Sequence, residues 1–124
     1  MDLVRQSLLK AVTAKRPPGG LVHHSDRGIQ YCAPEYRKLL DRLDITASMS
    51  RKGNCYDNAP MESFWGTLKS ELIHHRHYTT REEATRDITE YIEVFYNRER
   101  RQKRLCYLSP AAYARKCHAQ RAAA

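Results

Sequence analysis

Apolar residues recur along this chain with short, well-separated periods. Leu3, Val4, Leu8, Ala11 and Val12 follow helical spacing until Pro17-Pro18-Gly19-Gly20 stops the pattern, which predicts an opening helix. Leu21-Val22-His23 lies between a double-glycine turn and Asp26 and reads as a short buried strand. Pro34 and Glu35 begin a second helix with Tyr36, Leu39, Leu40 and Leu43 on one face, and the β-forming run Ile45 to Met49 follows directly as a second strand. Ser50 to Asp57 is polar and contains glycine, so it predicts a mobile loop of the kind that carries function on a fixed scaffold. Met61, Trp65, Leu68 and Leu72 then form the predicted buried stripe of a helix from about Pro60 to Leu72. Asn58 is its expected N-cap, with Pro60 in the first turn and Glu62 where the macrodipole favours a carboxylate. Thr80-Arg81-Glu82-Glu83 is a capping box, opening a helix whose core face is Ala84, Ile88, Tyr91, Ile92 and Phe95. Ser109-Pro110 caps a last helix through about Cys117, leaving 119–124 as a disordered tail.

Composition narrows the class. The 124 residues suit at most one domain with a modest core, expected over residues 1–118, and 41% apolar content is that of a globular chain. A mean hydropathy of -0.75 and the absence of a long apolar run exclude a membrane span, and the alternating N-terminus carries no secretory pattern, so a cytoplasmic protein is expected. Lys and Arg number 22 against 14 Asp and Glu, a net charge of +8, which suits a polyanionic partner but leaves ribosomal, RNA-binding and DNA-binding readings open. Cys32, Cys55, Cys106 and Cys117 are scattered without a Cys-x-x-Cys word, so free thiols are expected. His74, His75 and His77 do not share a helical face, and no metalloprotease word surrounds them.

Two acidic segments carry the chemistry. His24-Ser25-Asp26-Arg27-Gly28 places Asp26 at the carboxyl edge of a strand, and Asp57-Asn58-Ala59-Pro60-Met61-Glu62 places Glu62 just inside a helix, with 35 residues between the two carboxylates. Hard anionic oxygens on rigid elements are what a divalent metal requires. Glu62, Gly66 and Lys69 also fall on one side of their helix, giving a stripe of carboxylate, bare backbone and ammonium. Taken from spacing alone, Lys69 is an ordinary exposed lysine and Gly66 a packing glycine. The run Arg98-Glu99-Arg100-Arg101-Gln102-Lys103-Arg104 can follow a DNA backbone or answer a helix dipole.

Over roughly residues 19 to 113, the words His23-His24-Ser25-Asp26-Arg27-Gly28, Gln30-Tyr31, Ser48-Met49-Ser50-Arg51-Lys52-Gly53-Asn54, Asp57-Asn58-Ala59, Glu62-Ser63-Phe64, Leu68-Lys69, Glu71-Leu72, Tyr91-Ile92-Glu93, Tyr96-Asn97 and Ser109-Pro110 keep a distinctive order. In these the chain resembles the DDE transposases of insertion sequences, specifically the catalytic subunit with a retroviral-integrase-like core. The resemblance implies an α/β, RNase H-like fold, here shortened at its N-terminal side to two short strands and four to five helices. It implies Asp26 and Glu62 as the second and third of three catalytic, metal-binding carboxylates, with two Mg²⁺ or Mn²⁺ ions in the complete enzyme. The first carboxylate has no counterpart, since Asp2, the one acidic residue upstream, sits at a helix start. The resemblance also turns Lys69 towards DNA; Arg51, Lys52, Arg98, Arg100, Arg101, Lys103 and Arg104 join it as candidate DNA contacts.

The implied activity is DNA transposition by metal-dependent phosphodiester cleavage and strand transfer, with DNA as partner (element ends and target) and no membrane. Lacking one ligand, the chain is expected to be inactive alone, and full-length transposase or an upstream-frame product is a further expected partner. The alternatives are a noncatalytic DNA-binding or regulatory fragment and a ribonuclease or junction nuclease on the same scaffold. A two-carboxylate glycosidase leaves the basic charge unexplained. The chain departs from the resemblance at Gln102, where a His is expected, and at Cys106, where a Gly is expected; if that glycine served a positive-φ turn, Cys106 strains it.

Overall fold

The computed structural model describes residues 2–124, apart from the side chain of Cys55, so the thiol expected there lies outside the described residues. Cys32, Cys106 and Cys117 are free. The chain's contacts gather into two compact units, Met1–Trp65 and Gly66–Ala124, and the boundary falls inside a helix instead of in a linker.

The first unit is built on α1 (Asp2–Lys15), β1 (Leu21–Ser25), α2 (Ile29–Cys32), α3 (Pro34–Arg42) and β2 (Ile45–Met49). β1 and β2 pair in parallel, from Leu21 opposite Ile45 to Ser25 opposite Met49, and α2 and α3 supply the crossover that parallel pairing requires. Leu8, Tyr36, Leu40 and Ile45 form the core, with Val4, Val12, Leu39 and Leu43 packed around them. The predicted face of α1 is too wide, because Leu3 is 80% exposed. Leu3 stands five positions from Leu8, about 140° around the helix, whereas Val4 and Val12 lie four positions either side of it. The end of α3 is fixed by Asp44, at φ 55°, whose carbonyl accepts from Gly20 N–H at 3.0 Å. Gly20 itself takes φ 79°, which calls for a glycine at this close return of the chain, and a Cβ on Gly19 would displace the Asp44 carboxylate.

A 3₁₀ turn, Cys55–Asn58, leads straight into α4 (Ala59–Glu71), which crosses from the first unit into the second. This corrects the predicted cap. Asn54, not Asn58, accepts a backbone N–H, that of Tyr56 at 3.0 Å, and so opens the helical run one turn earlier. Of the predicted stripe only Leu68 is buried, with Met61 58% and Trp65 48% exposed.

In the second unit α5 (Arg81–Glu90) opens as predicted, with Thr80 Oγ1 accepting from Glu83 N–H at 3.1 Å. Glu83 reaches back to Thr79 N–H at 3.0 Å, one residue beyond the usual capping-box partner. From Tyr91 to Glu99 the chain winds as a π-helix, with Arg100 N–H donating to the Phe95 carbonyl at 2.7 Å. The wider turn moves the buried face: Tyr91 and Tyr96 are buried, while Phe95, predicted for the core, is 41% exposed. Cys106 and Tyr107 follow at φ 55° and 60°, in a tight reversal closed by Gln102 N–H on the Leu108 carbonyl at 3.1 Å. Ser109 caps α6 (Pro110–Ala123) through Ala112 N–H. The helix continues past Cys117 through the expected tail, because Ala119, Ala122 and Ala123 are strong helix formers and no Gly or Pro interrupts them. Among the described residues no helix is long and apolar enough to cross a membrane.

Candidate active site

Asp26 lies one residue beyond the carboxyl end of β1, at the strand end where open α/β sheets hold their ligands. Its Oδ1 accepts from Gly28 N–H at 2.7 Å, which closes a small Asx turn and fixes the carboxylate against its own backbone. A Cβ on Gly28 would come within 2.8 Å of that oxygen, so the turn favours a glycine there. Glu62 stands exposed in the first turn of α4. Both carboxylates line one open cavity of about 670 Å³ in the first unit, together with His23, Asp57, Pro60 and Trp65. Met61 and Trp65, predicted for the core, are thus walls of this cavity.

Asp57 is the third carboxylate in the cavity wall, but it is engaged elsewhere. Its Oδ2 accepts from Arg51 N–H at 2.9 Å, and the Arg51 guanidinium lies 3.4 Å from Oδ1. These bonds, the backbone one first, hold the Asp57 carboxyl below the usual carboxylate range. The segment expected to be mobile is therefore tied at both its ends. Among the described residues no three His, Cys, Asp or Glu side chains are grouped so as to hold a metal ion. Burial pushes the neighbouring His23 imidazole down, and its Nε2 lies 3.2 Å from the Tyr36 hydroxyl.

The basic residues singled out in the sequence fall into distinct situations. Lys52 is exposed in the first unit, as are Lys69, Arg98, Arg101 and Lys103 in the second. Arg51 reaches back to Asp57, and Arg104 Nε donates to Gln102 Oε1 at 3.0 Å. Arg100 is held within the second unit: it donates from Nη2 to Glu71 Oε1 at 2.7 Å and from Nε to both Glu71 oxygens at 3.0 Å, and lies 5.7 Å from the Tyr96 ring centre. Tyr91 OH donates to Glu71 Oε2 at 2.6 Å, and burial followed by this carboxylate raises the phenol well above its usual range. The Arg100 hydrogen bonds hold Glu71 below the usual carboxylate range. No local pattern could have paired Glu71 with Arg100, because they are 29 residues apart, Glu71 ending α4 and Arg100 following the π-helix. At Gly66 a Cβ would meet nothing, so that glycine is no packing contact among the described residues. His75, in a 3₁₀ turn after α4, lies 3.0 Å from the Ser70 carbonyl.

Two family models, both described as the integrase core domain, match residues 1–55 and 62–117. The chain is 56% identical over 117 residues to the insertion element IS600 uncharacterized 31 kDa protein of Shigella sonnei, covering 94% of this chain and 43% of that one. It is 49% identical over 108 residues to the transposase for insertion sequence element IS904 of Lactococcus lactis, covering 87% and 43% of the two chains. Identity to transposase InsF for insertion sequence IS3A of Escherichia coli is 41% over 115 residues, covering 93% and 40%. The chain thus spans less than half the length of these relatives. No solved structure gives a significant match. With adjoining stretches of the chain matched by two integrase core models, the chain belongs to the integrase core family, and proteins named as transposases of insertion sequences are similar to it over most of its length.

Proposed function

We propose that this chain contributes to metal-dependent cleavage and joining of DNA in transposition, with Asp26 and Glu62 as its catalytic, metal-holding carboxylates. The observation that carries the reading is the convergence of these two residues, 36 positions apart in sequence, on one cavity at the carboxyl end of a parallel strand pair. The donor set fits Mg²⁺ or Mn²⁺: both groups offer hard anionic oxygen, and neither is tied to a cationic side chain among the described residues. When bound, such ions polarise the phosphoryl group and activate the attacking hydroxyl. Asp26, braced by Gly28 N–H, and Glu62, on the rigid start of α4, orient the reacting phosphate, while Lys52, Lys69, Arg98, Arg101 and Lys103 attract the DNA backbone.

These 124 residues supply two of the three carboxylates, so a polypeptide of these residues alone neither nicks nor joins a terminal-repeat duplex. A segment carrying the first carboxylate, added in trans, restores Mg²⁺-dependent cleavage. The net charge of +8 also supports a second reading, a noncatalytic DNA-binding role in which Asp26 and Glu62 are dispensable. Calorimetric Mn²⁺ titration of the chain completed with that segment separates the two. Asp26→Asn and Glu62→Gln each weaken binding by an order of magnitude or more, on the order of what metal-site substitutions cost, while Asp57→Asn does less. Loss of binding in Asp57→Asn with Glu62→Gln unaffected would reassign the site.

A further inference from the structure

Ser50, the residue that follows β2, is 5% exposed, and every polar group it owns is bonded to a residue beside one of the two acidic segments. Its N–H donates to the Ser25 carbonyl at 2.9 Å. Its carbonyl accepts from Arg27 Nε at 2.9 Å. Asp26 is therefore flanked on both sides by residues held to Ser50. The hydroxyl goes the other way: Ser50 Oγ donates to Asn58 Oδ1 at 2.9 Å, and also lies 3.3 Å from the Ser25 carbonyl and 3.2 Å from His24 Nε2. A hydroxyl has one proton, and the shortest contact assigns it to Asn58. The hydroxyl oxygen is then free to accept from His24 Nε2, and the other ring nitrogen of His24 lies 2.9 Å from Ser48 Oγ.

We infer that Ser50 is a positioning residue for the metal-holding pair, its hydroxyl setting the separation between Asp26 and the helix start that carries Glu62. The backbone bonds of Ser50 anchor the Asp26 turn whatever the side chain is. The hydroxyl alone reaches Asn58, which ends the 3₁₀ turn from which α4 begins, four residues before Glu62. Arg51, the next residue, grips Asp57 through its backbone N–H, so the segment before α4 is held at two consecutive positions. The two grips differ in consequence. Asp57 is held by a backbone N–H of its own loop, whereas Asn58 is held by the Ser50 hydroxyl, so of the two grips the second alone depends on the Ser50 side chain. Substitution of the hydroxyl therefore leaves both carboxylates present but their spacing less closely set, which lowers metal affinity without removing a ligand.

This inference rests on the proposal that Asp26 and Glu62 bind the cation, and the test keeps the two apart. Free Mn²⁺ is measured by electron paramagnetic resonance during titration of the chain completed with the segment that carries the first carboxylate, with thermal unfolding followed on the same samples. Asp26→Asn serves as the reference for loss of a ligand. Ser50→Ala is expected to weaken Mn²⁺ binding about tenfold, in the range found when residues supporting metal ligands are removed. Asn58→Ala, which removes the acceptor and leaves Ser50 intact, gives a similar loss, and the double variant is no worse than either single one, because both break the same link. Ser50→Thr, which keeps the hydroxyl, retains more of the affinity than Ser50→Ala. If Ser50→Ala and Asn58→Ala lower the unfolding temperature but bind Mn²⁺ as the unaltered chain does, while Asp26→Asn loses it, Ser50 is a fold residue only and the inference is wrong. Should Asp26→Asn itself bind Mn²⁺ normally, the metal-site proposal falls and the inference with it. Additive losses in the double variant would likewise overturn the single-link account.

Discussion

Replacing Cys106 by glycine should stabilise the protein. Cys106 sits at φ 55°, ψ 39°, where an L-residue brings its Cβ against the following carbonyl at a cost of roughly 1–2 kcal/mol. Glycine is free of that cost but surrenders about 0.4–1 kcal/mol through the greater freedom of its unfolded chain. The thiol is exposed, so no core packing is lost. The reversal from Gln102 to Leu108 is held by backbone bonds that the substitution leaves in place, among them Cys106 N–H to the Lys103 carbonyl at 3.1 Å and Tyr107 N–H to the Gln102 carbonyl at 3.0 Å. The difference is a net gain of about 0.5–1 kcal/mol, or roughly 2–4 °C in unfolding temperature for a chain of this size. Urea unfolding of the unaltered chain, Cys106→Gly and Cys106→Ala decides it. The glycine variant should raise the midpoint at unchanged slope, and the alanine variant, which keeps the Cβ, should leave it where it is. An equal rise in both would trace the effect to the thiol, and no rise in the glycine variant would refute the argument from backbone strain.

The Glu71 carboxyl titrates below the usual glutamate range because Arg100 and Tyr91 donate to it, so its contribution is present above the unfolded-state value and lost as pH falls through the lower folded one. Acid unfolding curves of Glu71→Gln should accordingly flatten in the region below about pH 4.3, and an unchanged curve there would show that the pair does not matter to stability. DNA binding by the basic surface should fall steeply with salt, with a log-log slope of about -0.9 for each phosphate neutralised, and should become shallower when Arg98, Arg101 and Lys103 are changed to Gln. Equal affinity at two salt concentrations would sink that reading.

The parts of this fold that were legible in the sequence are those written by short-range chemistry. The caps at Thr80 and Ser109, the stop after α1 and the run Ile45–Met49 each follow from residues within a few positions of one another. Asp26 and Glu62 stood out by their words and spacing, and the structure brings them to one cavity. What stayed hidden depends on tertiary context. The spacing of Met61 and Trp65 marks a helix face but not what covers it, and here they border the cavity. The spacing of Tyr91 and Phe95 fits an α-helix as well as any, and nothing local announces that the chain instead winds so as to bury Tyr96. Ser50 reads locally as one polar loop residue among several, and its bonds to Arg27 and Ser25, 23 and 25 positions back, and to Asn58, eight positions ahead, exist only in the folded chain.

The π-helix from Tyr91 to Glu99 has a consequence for how this segment can change over evolutionary time. A turn that holds an additional residue is what remains when a helix absorbs an insertion without breaking. Rewinding the segment as an ordinary helix at unchanged length would turn everything downstream, because an α-turn takes up 3.6 residues and the wider turn takes up more. Arg100 would then leave Glu71, and Tyr96 would exchange its interior place with a neighbour. The wide winding and the Glu71–Arg100 pair therefore hold one another in place, and loss of a single residue with a return to ordinary winding is the length change that best preserves what lies downstream.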